Sequence, residues 1–107
     1  MTGFSLTTDP LLTLKYIILL NIRISCTANN RWATFNLCTG VGATVIDSRN
    51  AIMHLSGTIY SYDFSFYHTI APATNVKIMW NTSTAGSTVT ASSLLNQRCN
   101  FTIFGIK

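Results

Sequence analysis

The chain has 107 residues, of which seven are basic and three acidic, while 48% are hydrophobic. That length suits one small domain rather than two, and so few charges over so apolar a composition exclude a disordered, charge-solvated chain. Glutamate is absent, which also excludes an EF-hand loop or a HExxH zinc site.

Residues 1–13 read as a lead-in, and residues 14–107 as the body of a single domain. The apolar run over residues 11–20 is interrupted by Thr13 and Lys15 and followed by Asn21 and Arg23. A bilayer-spanning helix needs about 20 apolar residues, so no membrane insertion is expected. The first ten residues offer an acid and no base, so no export signal is expected either.

From residue 15 a two-residue alternation takes over. Tyr16, Ile18, Leu20, Ile22 and Ile24 share one face of a strand over 15–26, while Ile17 and Leu19 make the start of the other face apolar too. Asn29-Asn30 turns the chain, and residues 31–39 form the next strand, with Ala33, Phe35 and Leu37 aligned. A short strand over 43–46, a loop over 47–50 and another short strand over 52–56 follow. Residues 58–68 alternate clearly: Tyr60, Tyr62, Phe64 and Phe66 face away from Ser61, Asp63 and Ser65. Pro72 and Asn75 mark a corner, Val76, Ile78 and Trp80 line a strand to Asn81, and residues 82–87 read as a hairpin loop. Weak strand character at 88–91 and a final strand over 98–107 complete the chain. About eight short strands at this spacing, with threonine prominent and no 3.6-residue period, predict an all-β antiparallel sandwich.

Candidate chemistry is sparse. His54 and His68 are the two histidines; His54, between Met53 and Leu55, reads as a sheet histidine, and Asp63 as solvated or paired with a nearby base, and no elbow or triad motif is present. No cofactor and no metal are expected. Cys26, Cys38 and Cys99 are odd in number and share no CxxC spacing, so they read as reduced, unlinked thiols. The seven bases lie far apart with no basic stripe, so no nucleic-acid partner is expected. The matches Asn81-Thr-Ser83 and Asn100-Phe-Thr102 fit the glycosylation pattern, but such matches arise by chance in a chain about one third Thr, Ser and Asn. The aromatic row over 60–66 reads as core. Trp32 and Trp80 suit either an interface or a sugar-stacking surface.

The last strand is the most informative. Phe101 and Ile103 point one way and Phe104 and Ile106 the other, so both faces demand cover. The start of the strand over 15–26 makes the same demand. In one sandwich of this size the second cover must come from another subunit. That reasoning marks Tyr16, Ile18, Leu20, Phe101, Ile103 and Phe104 as an oligomer seam, with the direction of each strand's seam-facing side left open.

The order Tyr16-x-Ile18-x-x-x-Ile22-x-Ile24, Arg31-Trp-x-x-Phe35-x-Leu37, I-Y-S-Y-D-F-S-F over 59–66, N-V-K-I-M-W over 75–80 and F-T-I-F-G-I-K over 101–107 resembles the TNF-like jelly roll of complement globular heads. Its short, Thr/Asn-rich character and aromatic ending are similar to heads of bacteriophage fibres and receptor-binding proteins. The resemblance implies a jelly-roll topology and a homotrimer with the first and last strands paired at its centre. It also implies a non-enzymatic virion protein, made in the host cytoplasm, that binds a host-surface glycan or protein and contacts other virion proteins. None of the family's calcium-binding acidic loops can be placed here. A capsid or tail cement protein, and a secreted TNF-like ligand, are the alternative roles. Recognition is expected on loops and their edges, at Arg31, Trp32, Asp47, Arg49 and Trp80.

Overall fold

The computed structural model describes residues 4–82, 89–91 and 99–106. Its strands are β1 (Phe4–Thr7), β2 (Leu14–Cys26), β3 (Arg31–Thr39), β4 (Thr44–Met53), β5 (Tyr60–Ile70), β6 (Asn75–Thr82), β7 (Val89–Ala91) and β8 (Asn100–Ile106). They form two antiparallel sheets. One has the order β1-β6-β3-β4; in the other, β2 carries β5 on one side and both β7 and β8 on the other. The all-β sandwich expected from the alternation is the architecture found. Among the described strands, β3 and β4 are the one consecutive pair that are neighbours in a sheet.

The even positions of β2 are the spine of the core. Tyr16, Ile18, Leu20, Ile22, Ile24 and Cys26 are all buried, against Ala33, Phe35 and Leu37 of β3, Ala51 and Met53 of β4, and Val76 and Ile78 of β6. Side chains two apart along a strand share a face, so one stretch of strict alternation supplies a whole layer. Each fully buried Ile or Leu contributes about 1.5–3 kcal/mol of transfer free energy. Phe35 lies at the centre, edge-on to Trp80 at 5.2 Å and tilted against Phe64 at 6.2 Å.

The aromatic row of β5 closes the side of the sandwich where β4 and β5 approach each other. Phe66 is fully buried, while Tyr60, Tyr62 and Phe64 pack on the core and keep partial exposure. The two tyrosine hydroxyls then serve the backbone of β4 and of the segment just after it. The Tyr62 hydroxyl accepts from Ile52 N–H at 3.1 Å and donates to the Ile52 carbonyl, and the Tyr60 hydroxyl accepts from Leu55 N–H at 3.0 Å. An edge strand with unpaired backbone groups invites pairing with other chains, and these hydroxyls occupy part of that edge.

Three segments differ from the reading by composition, the first being the strand expected over 52–56, of which only Ile52 and Met53 are strand, as the end of β4. Residues 47–50 lie inside one continuous strand, β4, whose register against β3 shifts at Leu37/Cys38. Their polarity comes from their surroundings: Ser48 and Asn50 point outward, while Asp47 and Arg49 reach toward β5 at the open side. Residues 4–7 of the lead-in form β1, the edge strand beside β6. Its exit is pinned to the β5–β6 turn, where buried Thr8 accepts from Thr74 N–H (2.9 Å) and donates to the Ala71 carbonyl (2.8 Å). Asp9 receives the N–H groups of Leu11 and Leu12 at 2.8 and 2.9 Å, turning the chain into β2. Of the expected loop over 82–87, residues 83–87 lie outside the described residues, as do Arg98 and Lys107.

Candidate functional site

The two strands singled out for their doubly apolar character are neighbours. β2 and β8 pair antiparallel, with Tyr16 opposite Gly105, Ile18 opposite Ile103 and Leu20 opposite Phe101. Gly105 fits because it has no side chain: a Cβ there would lie 3.0 Å from Leu14 Cδ1 and 3.1 Å from Tyr16 Cε1. The Tyr16 ring takes the space a larger residue would need.

The sandwich, however, claims one face of this pair for itself. Tyr16, Ile18 and Leu20 are 4%, 0% and 0% exposed, in the monomer's own core, and Phe101 and Ile103 pack against that core. Tyr16, Ile18 and Leu20 are therefore closed to another subunit, while Phe101 and Ile103 lie on the same inward side and keep partial exposure. Of the six expected seam residues, Phe104 alone points outward, half exposed. Alternation makes both faces of β2 and β8 apolar but does not say which face the second sheet covers.

The outward face replaces them with a different set. Across β5, β2 and β8, Tyr67, Ile17 and Phe104 form one row; Thr69, Lys15 and Ile106 lie on one side of it, and Ser65, Leu19 and Thr102 on the other. Tyr67 is 60% exposed, Phe104 52%, Ile106 46% and Leu19 38%. Beyond Leu19 the face becomes polar at Asp63, Asn21 and Asn100, where Arg23 pairs loosely with Asp63 at 3.8 Å. An apolar centre with a polar rim is the anatomy of a protein interface. A pairing of Asp63 with a neighbouring base was one of the readings left open for it, and in so exposed a position it adds little stability.

The residues expected to form a recognition site lie in four separate places. Asp47 and Arg49 belong to a strand, not a loop, and are tied to the opposite sheet edge. Asp47 lies 2.8 Å from His68 Nε2 and 2.7 Å from the Arg49 guanidinium. Arg49 also donates to the Ser65 carbonyl at 3.0 Å and lies over the Phe66 ring, 4.6 Å from its centroid. The hydrogen bond from His68, with support from Ser48 N–H and Arg49, holds the Asp47 carboxyl below its ordinary range, against the opposing effect of burial. This cluster clasps β4 to β5. Trp80 faces the interior against Phe35, so it is not a platform at a loop edge. Arg31 donates to the carbonyls of Asn29 and Asn30 at the β2–β3 turn.

Trp32 is the exception. It stands on the outer face of the β1-β6-β3-β4 sheet and is 50% exposed, opposite Ile52, which is 48% exposed. Below it on that face, the Thr34 hydroxyl donates to Asn50 Oδ1 at 2.9 Å and the Ser48 hydroxyl to Asn36 Oδ1 at 2.7 Å. Asn81 and Met79 of β6 continue the same two rows. Sequence reasoning missed this ladder because it took residues 47–50 for a loop. The pairing of Thr34 with Asn50 appears only once β4 is continuous.

Cys26, Cys38 and Cys99 are free thiols. Burial pushes the Cys38 thiol up, with Lys77 pulling it the other way. Cys99 has a local role: its sulfur accepts from Arg23 N–H at 3.3 Å and donates to the Arg23 carbonyl, where β2 passes from β8 to β7. Among the described residues, no three metal-ligating side chains cluster. No family model, curated protein or solved structure matches the chain.

Proposed function

We propose that the chain is a non-enzymatic structural module that works as a homotrimer, the head of a bacteriophage tail or head fibre that attaches the virion to the host surface. The observation that carries this reading is the outward apolar row Tyr67–Ile17–Phe104, extended by Leu19 and Ile106. A monomer has no use for such a row. A second and third copy of the same chain would cover it, and its uncharged centre favours a self-complementary contact over a charged partner. Three copies, rather than two, follow from the TNF-like resemblance, which puts the first long strand and the last strand together at the trimer centre. The β2·β8 pairing supplies that juxtaposition. The seam is then built from the outward residues of these strands, while Tyr16, Ile18 and Leu20 hold each subunit together. The Asp47–His68 pair supports a non-enzymatic role, because both groups serve a contact between sheets.

Adsorption of the fluorescently labelled chain to bacterial cells tests the attachment role. Saturable binding that competes with intact phage is the expected result. A chain that binds phage particles but no cells would replace attachment by the cement role.

A further inference from the structure

The outer face of the β6-β3-β4 part of the first sheet has a chemistry that differs from an ordinary solvated face. Outer strand faces usually carry lysine and glutamate for solubility. Here the outward positions are Trp32, Thr34 and Asn36 on β3, Ser48, Asn50 and Ile52 on β4, and Lys77, Met79 and Asn81 on β6. Lys77 is the one charge among them, at the end far from Trp32. The rest is an amide and hydroxyl ladder headed by an indole.

The ladder is also polarised. Both hydroxyls donate to the amide oxygens, Thr34 to Asn50 and Ser48 to Asn36, and neither amide nitrogen donates to another described residue. Each Asn therefore has its carbonyl engaged and presents its NH2 group as a donor. Successive outward residues along β3 are about 6.8 Å apart, so Trp32, Thr34 and Asn36 mark three stations on a straight line. An indole half exposed beside Ile52 and followed by fixed amide donors fits a ligand with apolar C–H faces, many hydroxyls and no charge.

We infer that this face binds an uncharged oligosaccharide lying along β3, with one ring stacked on Trp32 and its neighbours' hydroxyls accepting from the amides of Asn50, Asn36 and Asn81. The inference rests on the attachment reading, because it names the surface and ligand class of that role. It moves the site from the loops to a sheet face. Arg31, Asp47, Arg49 and Trp80 are then bystanders.

The test uses the full chain on an array of neutral and acidic hexose and N-acetylhexosamine oligosaccharides. Binding to neutral members is expected, weakened at least tenfold by Trp32→Ala and by the double change Asn36→Ala with Asn50→Ala, and unaltered by Thr69→Ala on the opposite sheet. Trp32→Phe keeps a ring and should retain part of the affinity. Because Trp80 is in the core, a fluorescence change on titration with a bound oligosaccharide should be present in the wild type and absent in Trp32→Phe. Binding to no neutral sugar, or neutral binding unchanged by Trp32→Ala, overturns the inference. Labelled protein on bacterial cells separates the two ideas. Cell adsorption that Trp32→Ala leaves intact sinks the sheet-face site while attachment stands; no adsorption and no sugar binding sinks both.

Discussion

The two outer faces of this sandwich follow the same alternation and carry opposite chemistry. On the β5-β2-β8 side the outward residues include an apolar group, Tyr67, Ile17, Leu19, Phe104 and Ile106, with Lys15 beside it and a polar margin at Asp63, Asn21 and Asn100. On the β6-β3-β4 side they are mostly Asn, Ser and Thr, bonded in cross-strand pairs. The charges of the β5-β2-β8 face, Lys15, Arg23 and Asp63, lie around its apolar centre, and Lys77 is the charge among the described outward residues of β3, β4 and β6. The difference lies in what would satisfy each: one needs to be buried against another apolar surface, the other offers hydrogen-bond donors with a ring beside them. Under the proposed function, such a division would give assembly to one side of the molecule and recognition to the other, and keep the two from competing for the same residues.

The comparison breaks most visibly if its apolar side is charged. Phe104→Asp should abolish assembly outright while circular dichroism keeps the strand signal, because that side chain contributes nothing to the interior. Asn50→Asp, the matching change on the other face, should leave the assembled mass unaltered. Truncating the core is a different injury: Phe35→Ala should cost about 3–5 kcal/mol in chemical denaturation, with loss of the fold itself.

Smaller changes sharpen the picture at the boundaries between faces and core. Gly105→Val forces a side chain against Leu14 and Tyr16 and should lower stability by about 1–3 kcal/mol, read from the denaturation midpoint. Tyr62→Phe removes the hydroxyl that serves both backbone groups of Ile52, a loss of about 1 kcal/mol in the same assay. The Asp47 clasp gives the smallest effect and a definite sign. Its carboxyl titrates lower in the folded chain than in the unfolded one, so its stabilisation is present above the ordinary carboxylate range and fades as pH falls through the depressed value. Thermal melts taken from neutral to acid pH should therefore show a decline that Asp47→Asn flattens.

Much of this fold was legible in the residues. The bodies of β2, β3, β5 and β6 are visible because each keeps one continuous apolar face at every second residue, and β8 because it is short and apolar on both faces. β4 was not, since Asp47, Ser48, Arg49 and Asn50 are the residues that turns use. Only their partners Asn36, Thr34 and His68, distant in sequence, reveal that they sit in a strand. β1 is four residues long and has no repeat to read. The site residues failed for a related reason. Trp32 and Trp80 look alike in sequence, each at an end of a strand, yet one faces out and the other rests on Phe35. The two strands on which a seam is expected, β2 and β8, do pair with each other, but alternation alone does not say which of Tyr16 and Ile17 the second sheet covers.

The proposed division between the two faces turns on whether the face centred on Ile17 and Phe104 is covered by other copies of the chain. Light scattering coupled to size exclusion, at micromolar concentration, measures that directly. The account predicts a wild-type mass three times the 11.8 kDa of one chain and a Phe104→Asp mass of one chain. A wild type that elutes as a stable, soluble 11.8 kDa monomer contradicts it.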